Sequence, residues 1–250
     1  MSQQQPTKKR EKEREVLNRF LDKPVNFLIK HKITPDMLSY LGLFCMILAA
    51  VFIGLNTIHM IIIFAWPAPF LIFLAGTFDV FDGEVARRTG KEGPVGAYLD
   101  SNLDRISDAI LILGLIFGGL VNFFWGFALL FFSIMISYTR SRAENEGVEM
   151  KGVGFMERAE RILILFGALI IETWIYFLTT LITGEPWTVF NPWITSISVT
   201  WFFFLFIIGY TIALVITIAQ RVFHTYQTVA KDLDKCPPEE RQRTLMRRAL

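Results

Sequence analysis

Residues 79–104 read DVFDGEVARRTGKEGPVGAYLDSNLD, and the aspartates of this stretch, Asp79, Asp82, Asp100 and Asp104, lie where it meets apolar sequence on both sides. An ionised aspartate inside a membrane-spanning segment costs roughly 3 kcal/mol on insertion scales. Four carboxylates in one small volume also repel one another and do not all ionise unaided. A cation is therefore expected to hold them, and a divalent metal is the obvious candidate.

The spacing of the stretch predicts two helices that face each other. Small and acidic residues of the first half repeat at i, i+3, i+4 and i+7 and share one helix face: Asp79, Asp82, Gly83 and Ala86. Those of the second half repeat at i, i+4 and i+8: Gly96, Asp100 and Asp104. The connection between the halves is short, so the helices are antiparallel neighbours and the carboxylates meet at one end. The small residues allow the helices or a ligand to approach closely.

Carboxylate oxygens favour Mg²⁺ or Mn²⁺ over zinc, and no nearby His or Cys argues otherwise. Four carboxylates carry four negative charges, which two divalent ions would neutralise. Two metals about 4 Å apart form a clamp suited to phosphoryl displacement, and Arg87 can supply charge for a diphosphate substrate. The alternative is a buried polar cluster or an ion-pair network between the helices.

The rest of the chain is typical of a membrane protein with several spans. Of its 250 residues, 53% are hydrophobic and 24 are Phe, which is too apolar for an ordinary soluble domain. Lysine and arginine are absent from residues 33–86, 106–139 and 162–220. Each of these stretches can cross the bilayer twice, so by the positive-inside rule every basic loop and both termini are cytoplasmic.

We therefore predict an all-α integral membrane protein with six transmembrane helices, N-in and C-in. We expect it in the cell membrane, with its active site facing the cytoplasm. The predicted spans are 36–55, 60–87, 94–119, 123–143, 156–181 and 195–224. Pro67 and Pro69 fall within the second span and predict a kink or break there.

Four regions follow from this pattern. Residues 1–15 are charged and predicted to be disordered. Residues 16–32 predict an amphipathic helix at the cytoplasmic face of the bilayer, or alternatively a soluble cap helix. Residues 33–226 form the six-helix domain, and residues 227–250 a charged cytoplasmic tail.

A second set of charges lies at the end of the fourth span and the start of the fifth. Its basic residues can form a pocket for a doubly charged phosphate monoester: Arg142, Lys151, Arg158 and Arg161. Ordinary positive-inside anchoring, with Glu157 and Glu160 as ion-pair partners, is the alternative.

The stretch 79–104 resembles the CDP-alcohol phosphotransferase family, whose pattern D-x2-D-G-x2-A-R-x8-G-x3-D-x3-D it matches at every specified position. The resemblance covers roughly residues 16–226. It implies transfer of a phospho-alcohol from a CDP-linked lipid to an acceptor hydroxyl, with release of CMP. In one departure, the chain has Thr34-Pro35-Asp36 where many members carry Thr-Pro-Asn.

The resemblance also assigns roles to residues. It implies a metal site at Asp79, Asp82, Asp100 and Asp104, with Asp104 as the general base that takes the acceptor's proton. It implies a CDP-lipid site along the first half of the motif and the glycine of the second: Asp79, Asp82, Gly83, Ala86, Arg87 and Gly96.

Residues 142–144 and 157–161 resemble those of phosphatidylinositol-phosphate and archaetidylinositol-phosphate synthases. That subgroup implies inositol 1-phosphate as acceptor, with Arg221 as a further phosphate-binding residue. The donor is then CDP-diacylglycerol or CDP-archaeol, and the family suggests a homodimer.

Other acceptors stay open from the sequence: glycerol-3-phosphate, which also carries a phosphate, serine, or another polar alcohol. A cation transporter is the alternative from a different class, and it predicts acidic sites near the bilayer midplane. No nucleic-acid partner is expected.

Overall fold

A computed structural model describes residues 21–60 and 62–235, with side chains up to residue 231. Within these residues the chain is almost entirely helical. The elements in chain order are α1 (21–30), α2 (Pro35–Gly54), a 3₁₀ turn (Thr57–His59), α3 (Ile62–Ala65), α4 (Pro67–Thr89), α5 (Pro94–Phe117), α6 (Phe123–Asn145), α7 (Arg158–Thr183), β1 (Thr188–Val189), β2 (Val199–Thr200) and α8 (Trp201–Lys235).

Polar side chains fix where several of these helices begin. The Thr34 hydroxyl accepts a hydrogen bond from the Met37 N–H, and the Asn122 side chain caps α6 in the same way. At the start of α7, the Glu160 carboxylate accepts the Glu157 N–H at 2.8 Å. Each bond satisfies a backbone donor that the first helical turn leaves free.

The predicted interruption of the second span is present at Trp66, between α3 and α4. Pro67 and Pro69 lack the N–H groups that would continue the helical ladder. Trp66 nevertheless keeps helical dihedrals, with φ −64° and ψ −33°. The two segments therefore run on as one nearly continuous span.

Helix α2 lies at the centre of the half of the molecule that carries the aspartates, packed along both α4 and α5. Glycines bring α5 close to it. A Cβ added at Gly114 would lie 2.8 Å from the Ala50 carbonyl oxygen, and one at Gly118 2.3 Å from that of Ile53. Small residues thus set the distance between these helices.

Helix α1 packs onto the protein. Val25 is fully buried and forms an apolar cluster with Leu38 of α2 and Val85 of α4. This contact fits the cap-helix alternative of the sequence analysis. An additional location at the membrane interface stays a prediction.

Among the described residues, five helical segments are long and apolar enough to cross a membrane: Pro35–Gly54, Ile62–Thr89, Phe123–Asn145, Arg158–Thr183 and Trp201–Lys231. They correspond to five of the six predicted spans. The remaining span, predicted at 94–119, is the helix α5. Four charged side chains make α5 too polar to meet the same criterion: Asp100, Asp104, Arg105 and Asp108.

The predicted start of the last span, residue 195, is wrong, whereas the helix that contains this span runs beyond its predicted end at 224. Residues Val199–Thr200 form β2, which pairs antiparallel with β1, and α8 continues to Lys235. A helix of 35 residues is about 52 Å long, well beyond the ~30 Å hydrocarbon core. The boundary predicted at 226 therefore falls inside this helix. The predicted region 1–15 and residues 236–250 of the predicted tail lie outside the described residues.

A polar cluster at the opposite end of the bundle from the aspartates explains the late start of α8. Glu172 of α7 is fully buried. Its carboxylate accepts the Thr200 N–H at 3.0 Å and the Thr200 hydroxyl, and it lies 2.8 Å from His59 Nε2. These bonds join the turn before α3, helix α7 and β2.

The close contact of α2 and α5 gives a stability prediction. Gly114→Ala is expected to lower the melting temperature, because its Cβ would overlap backbone atoms of Ala50 and overpacking costs about 1–3 kcal/mol. Gly167→Ala in α7 is the matched control, since a Cβ there meets nothing within 4 Å. Thermal unfolding of the purified protein in detergent measures both, and equal melting temperatures would contradict this account of the packing.

Candidate active site

Three carboxylates converge where the end of α4 meets the start of α5. Asp79, Asp82 and Asp100 each offer one oxygen, and these oxygens all lie within 4.8 Å of one another. Asp82 is buried, at 7% exposure, whereas Asp79 is exposed. Mg²⁺ binds oxygens at about 2.1 Å, so oxygens on opposite sides of one ion lie about 4.2 Å apart. Small side-chain rotations would bring all three carboxylates onto one ion, and the residues therefore fit a divalent cation.

Asp104, one helical turn beyond Asp100, contacts an arginine. Nη1 of Arg158 lies 2.7 Å from Asp104 Oδ1 and 3.3 Å from Asp79 Oδ2, and its Nε lies 3.7 Å from Asp108 Oδ1. The predicted set of four aspartates is thus a group of three plus a neighbour. The guanidinium of Arg158 supplies positive charge to both parts.

The glycines of the motif face open space. A Cβ added at Gly83 or at Gly96 would meet nothing within 4 Å. Close helix packing therefore does not require glycine at these positions, and of the two expected roles only room for a ligand fits the geometry. Ala86 is half-buried. The Arg87 guanidinium is exposed and pairs with Glu84 at 2.6 Å.

An apolar cavity of about 490 Å³ opens on one side of the carboxylates. Its wall comes from α2, α4, α5 and α7, with side chains such as Leu43, Met46 and Phe166. Asp79 and Asp82 lie at its polar end. The cavity thus joins a long apolar surface to a cluster of negative charge.

A second cavity, of about 430 Å³, has a polar wall. Arginines from four helices line it: Arg105, Arg140, Arg158, Arg161 and Arg221. Hydroxyl groups lie between them: Ser101, Ser137 and Ser141. Asp100, Asp104 and Arg158 line both cavities. The two spaces therefore meet at these three side chains.

Protein contacts hold the two buried arginines of the second cavity in place. Arg161 Nη2 donates to Asp108 Oδ2 at 2.7 Å. Arg221 donates from Nη1 to the Ile136 carbonyl at 2.7 Å and from Nε to the Val153 carbonyl at 3.0 Å. A guanidinium has five N–H donors, so further donors remain for a ligand.

Two predicted pocket residues lie elsewhere. Arg142 pairs with Glu146 at 2.7 Å and lines a separate groove between α6 and α8. Lys151 is exposed in the turn after α6 and lines neither cavity. For Arg142 the reason is its position on α6, since it lies about 200° around this helix from Arg140. The face of α6 that lines the polar cavity carries residues at i, i+3, i+4 and i+7: Ser137, Arg140, Ser141 and Glu144.

Sequence reasoning missed several residues of the site, and some of them carried a signal. Asp108 extends the series of Asp100 and Asp104 by one more helical turn, and it pairs with Arg161. Arg140 shares a helix face with two serines. Ser39, which hydrogen-bonds to Asp82, gave no such signal because the two residues belong to distant segments of the chain.

Comparison with known proteins identifies relatives of this chain. A sequence profile of the family described as CDP-alcohol phosphatidyltransferase matches residues 32–189. An archaetidylinositol phosphate synthase of Methanothermobacter thermautotrophicus is 46% identical over 95 residues, which cover 38% of this chain and 48% of that protein. One of Pyrococcus horikoshii is 38% identical over 134 residues, which cover 54% of this chain and 68% of that protein. The chain thus matches about half of the first relative's length and about two thirds of the second's.

Solved structures share the fold. A crystal structure of Mycobacterium tuberculosis phosphatidylinositol phosphate synthase in complex with manganese and citrate has a TM-score of 0.63 and 24% sequence identity, covering 82% of this chain and 88% of that one. The same protein with CDP-DAG bound has a TM-score of 0.62 and 24% identity, covering 83% of this chain and 94% of that one.

Arg158 contacts Asp79, one of the three carboxylates expected to bind a divalent cation, at 3.3 Å, so the arginine and the cation should compete for this carboxylate. Arg158→Gln is expected to tighten Mn²⁺ binding about tenfold, since one charge-assisted contact of 1.5–3 kcal/mol no longer opposes the ion. Titration calorimetry of the purified protein in detergent measures this. Arg161 carries the same charge but contacts Asp108 instead of Asp79. Arg161→Gln should therefore change the affinity for Mn²⁺ by less than about threefold. Equal tightening in both variants would mean that net charge alone matters.

Proposed function

The chain belongs to the CDP-alcohol phosphatidyltransferase family, and we propose that it transfers a phosphatidyl-type group from a CDP-linked lipid to the hydroxyl of inositol 1-phosphate, releasing CMP. One observation carries this proposal. An apolar cavity and an arginine-lined cavity share Asp100, Asp104 and Arg158. A lipid donor and a phosphorylated, water-soluble acceptor would meet at these side chains.

The donor fits the apolar cavity. Its lipid chains would contact the apolar wall, and its diphosphate would lie at the carboxylate end. The open space over Gly83 and Gly96, with Ala86 and Arg87 on the same segment, supports the predicted CDP-binding surface. The relative with CDP-DAG bound supports the same class of donor. Apolar contacts suit CDP-diacylglycerol and CDP-archaeol alike.

A divalent cation, Mg²⁺ or Mn²⁺, belongs to the proposed site. Asp79, Asp82 and Asp100 would hold it, with Asp104 completing the set predicted for two ions. The oxygen-only donors support this choice, as does the relative whose structure contains manganese. When bound, the cation would neutralise the diphosphate and increase the electrophilicity of its phosphorus.

Asp104 is the proposed general base. It lines both cavities, so its carboxylate can reach the acceptor hydroxyl beside the donor's phosphorus. The acceptor oxygen forms a new P–O bond to the phosphorus that carries the lipid, and its proton moves to Asp104. The P–O bond to the cytidine monophosphate breaks, and CMP leaves with the bonding electrons.

The arginines determine the choice of acceptor. Arg158, Arg161 and Arg221, assisted by Arg105 and Arg140, would bind a doubly charged phosphate. Free serine, as an acceptor, lacks a phosphate and fits the arginine-lined cavity less well. Glycerol-3-phosphate has one, and it stays the second candidate. The relatives named as archaetidylinositol phosphate synthases favour inositol 1-phosphate.

The proposal includes six spans, with α5 as the sixth. Its 24 residues extend about 36 Å, enough for the ~30 Å core, and its charged side chains line the polar cavity. With α5 crossing, all basic clusters fall on one side of the membrane, which the positive-inside rule makes cytoplasmic. The homodimer suggested by the family belongs to the same proposal.

The role of Asp104 can be tested directly. Asp104→Asn should reduce CMP release by at least about a hundredfold, because general-base catalysis contributes about 10²–10⁴ in rate. The assay supplies purified protein with CDP-lipid, Mn²⁺ and a panel of acceptors. Glu149→Gln, an exposed loop residue, should keep full activity. Full activity of Asp104→Asn with an unchanged melting temperature would exclude this residue as the base.

A matched pair of variants tests whether the arginine-lined cavity binds the acceptor. Arg140 and Arg142 each pair with a glutamate four residues on, and their side chains are 47% and 58% exposed. Only Arg140 lines the polar cavity. Arg140→Gln should raise the KM for inositol 1-phosphate about tenfold, as expected for a lost charged hydrogen bond, and leave that for the CDP-lipid unchanged. Arg142→Gln should change neither, and the reverse outcome would favour the assignment made from the sequence.

A further inference from the structure

We propose that Ser39 of α2 is a positioning residue for the metal site. It lies outside the stretch 79–104, and its hydroxyl donates to Asp82 Oδ2 at 2.6 Å. This inference rests on the proposed function, since it assigns Asp82 to a cation. It adds a third helix to a site whose ligands come from α4 and α5.

The fold brings Ser39 to Asp82 by two local features. The Thr34 cap and Pro35 fix the start of α2 one turn before Ser39. Gly42 follows at i+3 on the same side of the helix. A Cβ at Gly42 would lie 3.5 Å from the Ala75 carbonyl oxygen of α4, so α2 and α4 run close together here. The serine hydroxyl therefore reaches the carboxylate directly.

The hydrogen bond from Ser39 to Asp82 opposes charge repulsion between the carboxylates. Asp82 is buried beside Asp79 and Asp100, and like charges tend to turn its carboxylate away from theirs. Ser39 holds the carboxylate in the orientation that keeps the three ligand oxygens within 4.8 Å. At 2.6 Å, the bond has the length of a strong hydroxyl–carboxylate contact. A carboxylate has about four lone-pair sites, so ligand capacity for a cation remains.

Ser39 has a second acceptor, the Pro35 carbonyl at 3.2 Å. Helical serines commonly bond to the carbonyl four residues earlier, and a serine with that bond alone would be only a packing residue. The shorter contact is the one to Asp82. This difference separates a positioning role from an ordinary helical serine.

The test is the affinity of the purified full-length protein for Mn²⁺, measured by titration calorimetry without substrates. Ser39→Ala should weaken binding about tenfold or more, the usual loss when a residue that orients a metal ligand is removed. Ser39→Thr keeps a hydroxyl and should restore the affinity of the parent protein. Ser107→Ala is the matched control, because Ser107 is buried and lines the same cavity. Its affinity should stay within about twofold of the parent protein.

A kinetic measurement separates positioning from damage to the fold. The loss of CMP release in Ser39→Ala should shrink as the Mn²⁺ concentration rises, whereas a misfolded variant would not recover. An unchanged Mn²⁺ affinity in Ser39→Ala would overturn the role of Ser39, and so would a loss of affinity that Ser39→Thr fails to restore. Absence of Mn²⁺ binding in the parent protein would instead overturn the proposed metal site.

Discussion

Repulsion between carboxylates is the constraint on which this structure depends. Asp79, Asp82 and Asp100 lie where α4 and α5 run into apolar sequence, and isolated negative charge is costly there. Several neighbouring groups compensate for that charge. Arg158 places a guanidinium against the neighbouring Asp104, Ser39 donates a hydroxyl, and the oxygen ligands fit a divalent cation. The chemistry we propose uses the same concentrated charge to attract a diphosphate through that cation.

The helix arrangement places this charge between two unlike spaces. Close contacts of α2 with α4 and α5, at Gly42 and Gly114, give that part of the bundle little freedom to spread. The apolar cavity and the arginine-lined cavity meet at Asp100, Asp104 and Arg158. In the reaction we propose, a lipid and a water-soluble phosphate would meet at these side chains.

Local patterns made much of this predictable from the sequence. Helical spacing and a short connection were enough to bring Asp79, Asp82 and Asp100 together, and the prolines marked the break at Trp66. Features that need helix rotation or distant pairing were not predictable. Arg140, rather than Arg142, lines the polar cavity because of the orientation of α6. The bond from Ser39 joins segments 43 positions apart. The late start of α8 reflects bonds between Thr200 and the buried Glu172, which no local pattern indicates.

The arginine among the aspartates has a consequence for assembly of the protein. Helices that carry several carboxylates would resist packing together if nothing balanced their charge. Arg158 belongs to the same polypeptide and lies 2.7 Å from Asp104 and 3.3 Å from Asp79. A newly made chain therefore carries its own counter-ion, and its helices can associate before any metal reaches them. This counter-ion reduces the repulsion that the helices would otherwise meet when no metal is bound.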